Sequence, residues 1–452
     1  MIRDGVSKEA IFLAVGDFVV YFFSLILALT FRYSMLPGRA LLSLHLQSFW
    51  LLFLLFMLVN FAVGLYDIRS ALRRGWNGAA VLTAQLVNAI LGVLYFYFIP
   101  AVIAPKANLF IFLIISTLIL VLWRAVMYPV VSIAKKQTAL LIGSGKDIDD
   151  LAAELSGRGR YGLYFKETIS PRASAEEMKA AIAEAVKRTD ATIVVADLHN
   201  DVVESTMPLL YSLVFSGMKF VDASRLYEAV FGRVPLGLVG ERWLVENSGT
   251  ALGNRRVYDL LKRGMDILMA SILGAVSLVV YPFIWIAVKL DDRGPLFVTQ
   301  ERIGKNGRPI RIVKFRSMTA NDGGSYLQDG KSKLKVTRVG QFIRLTRIDE
   351  LPQLWSVLAG HQSLIGPRPE LPPLVRVYEE KIPYYNARHL ITPGLSGWAQ
   401  IYHRAHPHHA VAIEDASDKL SYDLYYVKNR SFGLDLKIVL RTIQILLQRV
   451  GK

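Results

Sequence analysis

Apolar residues crowd into four long runs in the first third of the chain, at 11–31, 49–66, 79–99 and 109–131. Each run is roughly 18–23 residues, about the length a helix needs to cross a bilayer core. The first is too long for the apolar part of a signal peptide, and no small-residue cleavage site follows it before the second. Asp17, Asn88 and Arg124 interrupt the runs. They are expected to hydrogen-bond between helices rather than line a transport path, because no chain of carboxylates crosses the runs. Arg69, Arg73 and Arg74 follow the second run and Lys135 and Lys136 the fourth; Arg32 and Arg39, and Lys106, occupy the other two loops. This bias predicts a four-helix transmembrane bundle over residues 1–135 with both ends in the cytoplasm.

From 136 to 254 the pattern changes. Residues 138–146, Thr-Ala-Leu-Leu-Ile-Gly-Ser-Gly-Lys, read as a short buried strand ending in Gly143-x-Gly145. A helical stretch follows, then a second strand at 191–196, and the alternation continues to Phe220-Val221-Asp222. This predicts a small, doubly wound, Rossmann-like α/β module. A third glycine of a dinucleotide fingerprint would fall at Ile148, and no acidic residue ends a second strand where a ribose needs one. The expected role is therefore structural or regulatory rather than NAD binding.

Residues 255–452 form a third, basic region. It opens with Lys262-Arg263-x-x-Asp266 and an apolar run at 267–290 that is long enough to span a membrane. Pro282 interrupts that run, where it should remove a helix hydrogen bond and impose a kink. Lys262 and Arg263 precede the run, and Lys289 and Arg293 close it. A full fifth span would put the α/β module and the basic region on opposite sides. A re-entrant membrane helix over 262–290, entering and leaving by one face, fits the symmetric charge better.

Composition narrows the classes. The chain has 452 residues, 53% of them hydrophobic, only 20% charged, and no cysteine. Disordered, collagen-like, coiled-coil and disulfide-stapled secreted proteins are excluded. The net charge of +16 suits anionic lipids or phosphorylated substrates. Nucleic acid would explain the charge but not the apolar excess.

Three islands in the basic region are dense in chemistry-bearing residues. One runs from Gly294-Pro295 through Gln300-x-Arg302-x-Gly304 to Lys314-Phe-Arg316-Ser-Met318. The second is Arg344-x-x-Arg347-Ile-Asp349-Glu350-Leu-Pro-Gln353-Leu-Trp355. The third is Gly366-Pro-Arg368-Pro-Glu370, with Pro393-Gly394 beyond it. In the second island two carboxylates precede an apolar helical run, with Pro352 tolerated in the first turn. The helix dipole should favour their charged forms. An ionised carboxylate among cations can attack phosphorus or hold Mg²⁺; a surface helix cap with ion pairs is the plainer alternative. Lys314, Arg316 and Arg368 add phosphate-gripping donors, and prolines pin Arg368 on both sides.

These islands resemble the bacterial sugar transferase family, the polyprenyl-phosphate sugar-1-phosphate transferases, over residues 255–442. The whole chain is similar to the family's long form: a membrane bundle, a Rossmann-like module and a mainly α-helical catalytic domain with a re-entrant helix broken at Pro282. The resemblance implies that Asp349 attacks the β-phosphate of a UDP-sugar and releases UMP. Undecaprenyl phosphate then takes the phosphosugar. Glu350 would hold Mg²⁺, and Lys314, Arg316, Arg344, Arg368, Arg302 and Gln353 would bind substrate. The implied location is the bacterial inner membrane, with the catalytic domain on the cytoplasmic face. The lipid bilayer is then a partner, and a homodimer stays open.

Two features depart from the family or stand apart from it. His361 follows Gly360 where the family often has an acidic residue. The stretch from His403 to His409 holds four histidines; a loop over the nucleotide or sugar is expected there rather than a metal site. At 434–450, Leu436, Val439, Leu440, Ile443, Leu447 and Val450 share one helical face, which packs on the catalytic body or lies in the membrane interface. Two rival functions stand beside the transferase. An NAD-dependent nucleotide-sugar enzyme would need an intact glycine fingerprint. A non-catalytic membrane scaffold would be expected to have lost Asp349-Glu350 or the cations.

Overall fold

A computed structural model describes residues 8–66, 78–98, 106–132, 137–156, 163–172, 174–241, 243–246, 256–291, 293–319, 335–403 and 413–447. Arg69, Arg73, Arg74, Lys135 and Lys136, from which orientation was read, lie outside the described residues, as do His406, His408 and His409. The chain divides into two compact units, 1–230 and 231–452.

In the first unit, α1 (Lys8–Tyr33), α2 (Arg39–Ala62), α3 (Gly78–Phe98) and α4 (Lys106–Ser132) each contain a stretch long and apolar enough to cross a membrane. Arg39 opens α2 instead of lying in a loop, so this helix starts well before its apolar run. Tyr21, Phe49, Phe53, Phe56 and Phe112 fill the interior, with the Phe53 and Phe112 rings stacked at 5.7 Å. The intramembrane polar residues do bond between helices. Arg124 donates to Asp17 Oδ2 at 2.5 Å and to the Leu65 carbonyl at 2.9 Å. Tyr66 and Asn60 donate to the same Asp17 oxygen at 2.8 and 3.2 Å, and Asn88 reaches Tyr21 Oη at 3.4 Å. Charge inside a bilayer is tolerated when it is paired in this way.

The first unit also holds β1 (Gln137–Ile142), α5 (Lys146–Ser156), β2 (Leu163–Ile169), α6 (Ala175–Thr189), β3 (Ile193–Ala196), α7 (Asp201–Glu204), α8 (Met207–Phe215), β4 (Lys219–Asp222) and α9 (Ala223–Phe231). The four strands form one parallel sheet in the order β2-β1-β3-β4. Leu140, Ile142 and Val194 pack against Met178 and Ile182 of α6. Strand β2 falls where the sequence pattern was read as helical. It is an edge strand carrying Lys166 and Glu167, so it lacks the continuous apolar run that marks β1 and β3.

In the second unit, α10 (Arg256–Leu278) and α11 (Tyr281–Asp291) meet at a 53° bend. The break lies at Val279 and Val280, and Pro282 sits in the first turn of α11 rather than inside a helix. The missing N–H is harmless there, and Ile284 N–H still bonds to the Val280 carbonyl at 3.1 Å. An antiparallel ribbon of β5 (Phe297–Ile303) and β6 (Pro309–Phe315) follows. Next come α12 (Arg338–Leu345), α13 (Gln353–Leu358), β7 (Ser363–Ile365), α14 (Pro372–Lys381), β8 (Gly394–Ser396), α15 (Trp398–Tyr402), α16 (Ile413–Asn429) and α17 (Phe432–Leu447). Val234 and Trp243, grouped by the sequence pattern with the α/β stretch, share a core with Val375, Tyr385 and Leu424. Helix α17 turns Asp435 and Ile438 inward, while Leu436, Val439 and Ile443 on the apolar face stay exposed.

The motif Lys262-Arg263-x-x-Asp266 ties α10 to the body of this unit. Lys262 Nζ meets Asp435 at 3.2 Å. Arg263 donates to the Val357 and Leu358 carbonyls at 2.6 and 2.8 Å, capping the C-terminus of α13. Asp266 Oδ1 accepts the Leu364 N–H at 3.1 Å.

Candidate active site

The paired carboxylates lie on a 3₁₀ turn, Ile348–Glu350, just ahead of α13. Arg347 enters this turn at φ +57°, a left-handed conformation that costs energy in any residue with a Cβ. The tight reversal presents Glu350 to cations from three segments. Its Oε1 accepts from Arg368 Nη2 at 2.9 Å, lies 3.4 Å from Arg347 Nη1, and lies 3.9 Å from Lys314 Nζ. Burial alone would favour the neutral acid. The charges of Arg368, Lys314 and Arg347 outweigh it and hold Glu350 at about 2.

Asp349 is different. Burial and the adjacent Glu350 charge push it up to about 6, against the pull of Lys314, Arg347 and Arg344. Its Oδ1 is buried without a hydrogen-bond partner. The expectation that a helix dipole favours both charged forms therefore describes only part of the balance: α13 is six residues long, and burial dominates at Asp349. Above pH 6 Asp349 is a carboxylate with one oxygen buried from the surface. Burial also lowers Lys314 to about 8, opposed by Glu350 and assisted by Arg368 and Arg302.

Arg368 is placed by backbone packing. Gly366 N–H bonds to the Ser396 carbonyl at 2.8 Å, and Gly394 N–H bonds to the Pro367 carbonyl at 2.9 Å. A Cβ on Gly394 would run into the Gly366 backbone, so the two motif glycines allow β7 and β8 to bring this loop over the carboxylates. Arg302 donates to the Pro369 carbonyl at 3.3 Å and to Gln300 Oε1 at 2.9 Å, bracing the same loop. Arg344, in the last turn of α12, lowers Asp349 by its charge.

Two further site residues from the sequence make contacts within the protein framework. Arg316 donates to the Met318 carbonyl at 2.8 Å and to the Thr319 carbonyl. Gln353 is buried and accepts from Gln362 at 3.3 Å.

The sequence reading left Arg347 out of the substrate-binding set, although its i,i+3 spacing to Glu350 was visible. It also missed the layer behind Arg368. There Arg388 pairs with Asp423 at 2.6 Å, and Lys419 pairs with Glu370 at 2.9 Å. Arg388, Lys419 and Asp423 lie far from the motifs in sequence and carry no local signal.

Among the described residues no group of three His, Asp or Glu side chains could hold a metal ion. Mg²⁺ commonly takes only one or two carboxylates and completes its shell with phosphate oxygens and water. The unpartnered Asp349 Oδ1 beside Glu350 fits that donor set.

A buried carboxylate pair ringed by lysine and arginine has the donor chemistry to grip phosphate oxygens. A sequence profile of the family described as bacterial sugar transferase matches residues 257–449. A UDP-N-acetylgalactosamine-undecaprenyl-phosphate N-acetylgalactosaminephosphotransferase of Aeromonas hydrophila is 39% identical over 57% of this chain and 59% of its own length. A UDP-glucose:undecaprenyl-phosphate glucose-1-phosphate transferase of Escherichia coli is 37% identical over 41% of this chain and 39% of its own length. A Caulobacter vibrioides protein of the same name is 39% identical over 43% of this chain and 72% of its own. The match thus spans less than two thirds of the length of the first two relatives. The chain belongs to the bacterial sugar transferase family.

Proposed function

We propose that this protein transfers a sugar-1-phosphate from a UDP-sugar to undecaprenyl phosphate, releasing UMP, as the first membrane step of polysaccharide assembly. The observation that carries the reading is the buried, unpartnered oxygen of Asp349 beside a Glu350 clamped by three cations. In the first step a carboxylate oxygen of Asp349 attacks the β-phosphorus. The bond from that phosphorus to the bridging oxygen breaks, and UMP leaves with the bridging oxygen and the electron pair. In the second step a phosphate oxygen of undecaprenyl phosphate attacks the same phosphorus. The bond to Asp349 breaks, restoring the carboxylate and forming the lipid diphosphate sugar.

Lys314 and Arg368 hold the donor's phosphate oxygens, and Arg344 and Arg347 stabilise charge near the attacking group. Mg²⁺ bound by Glu350, with Asp349 at its side, would supply charge neutralisation on the diphosphate. The α10–α11 pair is a re-entrant helix, which its 53° bend supports. The parallel sheet is a Rossmann-like module of structural or regulatory role. The enzyme sits in the inner membrane with its catalytic unit on the cytoplasmic face, where UDP-sugars are made.

Incubating membranes that contain the protein with a panel of UDP-sugars and undecaprenyl phosphate tests the reading. One UDP-sugar should yield UMP and a lipid-linked sugar in equal amounts. UDP as the nucleotide product would overturn it.

A further inference from the structure

Beside the candidate active site lies a cavity of about 260 Å³ that the functional reading leaves unused. Tyr281, Phe297, Val313, Pro352, Trp355 and His361 line most of it. Tyr281 opens α11 at the bend of the membrane helix pair, and Phe283, Trp285 and Ile286 beyond it are exposed and apolar. One end of the cavity therefore adjoins the exposed apolar face of α11. The other end is lined by chain neighbours of the site: Pro352 follows Glu350 by two residues, and Val313 precedes Lys314 on β6.

Strand alternation divides the β5–β6 ribbon. Val313 and Phe315 share the face on which Phe297 pairs with Phe315, and Lys314 points to the other. Val313 enters the cavity, while Lys314, beside Glu350, faces the other way together with Ile310 and Ile312. A ligand that meets both must have a phosphate head and an apolar tail. Trp355 Nε1 donates to Tyr281 Oη at 3.1 Å, which engages the indole N–H inside the lining.

We propose that this cavity seats the phosphate-proximal isoprene units of the acceptor's polyprenyl chain. The inference rests on the transferase reading above. Phe297 and Trp355 are partly exposed, so the cavity is an open groove, and its volume of about 260 Å³ has room for a short stretch of branched hydrocarbon. The rest of the chain would run along the exposed apolar face of α11 into the bilayer. Selectivity for a polyprenyl phosphate over a straight-chain phosphate would then come from the branched fit between Trp355 and Phe297.

The two half-reactions separate this idea from the reading it rests on. Exchange of labelled UMP into UDP-sugar needs no acceptor and reports the donor side. Ala359, a small residue in the lining, can be enlarged to fill the cavity. Ala359→Leu and Ala359→Trp should raise KM for undecaprenyl phosphate by about tenfold or more and change UMP exchange by less than about twofold. The handicap should shrink when a straight-chain alkyl phosphate replaces the polyprenyl acceptor. Trp355→Ala, which opens the cavity, should erode the preference for the branched chain and serves where the larger side chains disturb folding.

An unchanged acceptor KM in Ala359→Leu and Trp355→Ala, with exchange intact, would overturn the cavity assignment and leave the transferase reading standing. A raised KM for the UDP-sugar in the exchange assay would assign the cavity to the donor instead. Absence of UMP exchange in the unaltered protein would remove the transferase reading, and this inference with it.

Discussion

Arg388 donates from Nη2 to the backbone carbonyl of Arg368 at 2.9 Å, so one buried guanidinium fixes the placement of another from behind. Arg388 also meets Asp423 at 2.6 Å and Tyr385 Oη at 2.5 Å, and it is almost fully buried. Three partners in different directions suit a planar fork and not a single ammonium. We expect Arg388→Lys to stay folded but to release the Arg368 loop, cutting turnover by about tenfold or more with a smaller change in KM for the UDP-sugar. Arg388→Ala should leave Asp423 as an uncompensated buried charge, which typically costs about 3–5 kcal/mol. Steady-state kinetics and thermal unfolding in detergent check both. Wild-type turnover in Arg388→Lys would refute the positioning role.

Asp349→Asn is nearly isosteric and cannot form an acyl phosphate, so UMP release and UMP exchange should both vanish while the thermal midpoint holds. Glu350→Gln should behave differently. It removes the negative charge that three cations share, so both stability and Mg²⁺ dependence should suffer. Measurable UMP exchange in a folded Asp349→Asn protein would remove the nucleophile from this position.

The parts legible in the sequence were those with a periodic or punctuated signal. Four apolar runs gave four helices, and the Asp17, Asn88 and Arg124 insertions gave interhelical hydrogen bonds. Lys314, Glu350 and Arg368 were recognisable from proline- and glycine-rich charged turns, and the structure brings them together. Edge strand β2 escaped because solvent on one side leaves only a ragged alternation. Pro282 was read as a mid-helix kink because the apolar run continues through Val279 and Val280, where the backbone breaks without any change in polarity. The Arg388–Asp423 and Lys419–Glu370 pairs join residues 35 and 49 positions apart. Only the folded path brings them together.

Acid should weaken the second unit in two stages. Burial, helped by the Arg388 charge, lowers His389 from 6.5 to about 4, so the fold prefers the neutral imidazole. That contribution is complete above pH 6.5 and is lost as pH falls toward 4. Glu370 is opposed by burial but held down from 4.5 to about 2 by Lys419 and Arg388. Its contribution is complete above pH 4.5 and is lost as pH falls toward 2. Asp349, raised to about 6, works the other way over the same range, so the readout is a difference: from pH 7 to pH 5 the thermal midpoint of His389→Gln should change more favourably than that of the unaltered protein. An identical slope in His389→Gln would disprove the assignment.

The buried pair in the bundle makes an asymmetric prediction. Arg124→Met leaves Asp17 charged inside an apolar bundle, whereas the double change Asp17→Leu with Arg124→Met removes both charges. Breaking one half of a buried pair costs about 3–5 kcal/mol, while replacing both can be neutral. The single variant should express poorly and the double should recover. Equal loss in both would mean that Tyr66 and Asn60, which share the Asp17 oxygen, hold the bundle without the arginine.

Arg263 links the bent α10–α11 pair to the carboxylate-bearing turn through one helix end. Helix α13 closes at Gly360, φ +84°, with His361 N–H returned to the Ser356 carbonyl at 3.0 Å. Arg263 takes up the Leu358 carbonyl and shares the Val357 carbonyl with the Gly360 N–H, and the turn bearing Asp349 and Glu350 leads into the opposite end of that helix. Hydrogen bonds to a charged group contribute about 1.5–3 kcal/mol each, part of which water would replace here. Arg263→Met should therefore loosen α13 against α10, lower the thermal midpoint by several degrees and reduce UMP exchange. Amides from Trp355 to Gln362 should exchange with solvent faster, while those of the β1–β4 sheet keep their protection. Arg263→Lys keeps the charge but offers one point of contact for two carbonyls, so it should recover only part of each effect. Unaltered amide protection across Trp355 to Gln362 in Arg263→Met would show that Gly360 alone closes the helix and that the arginine serves only to anchor α10.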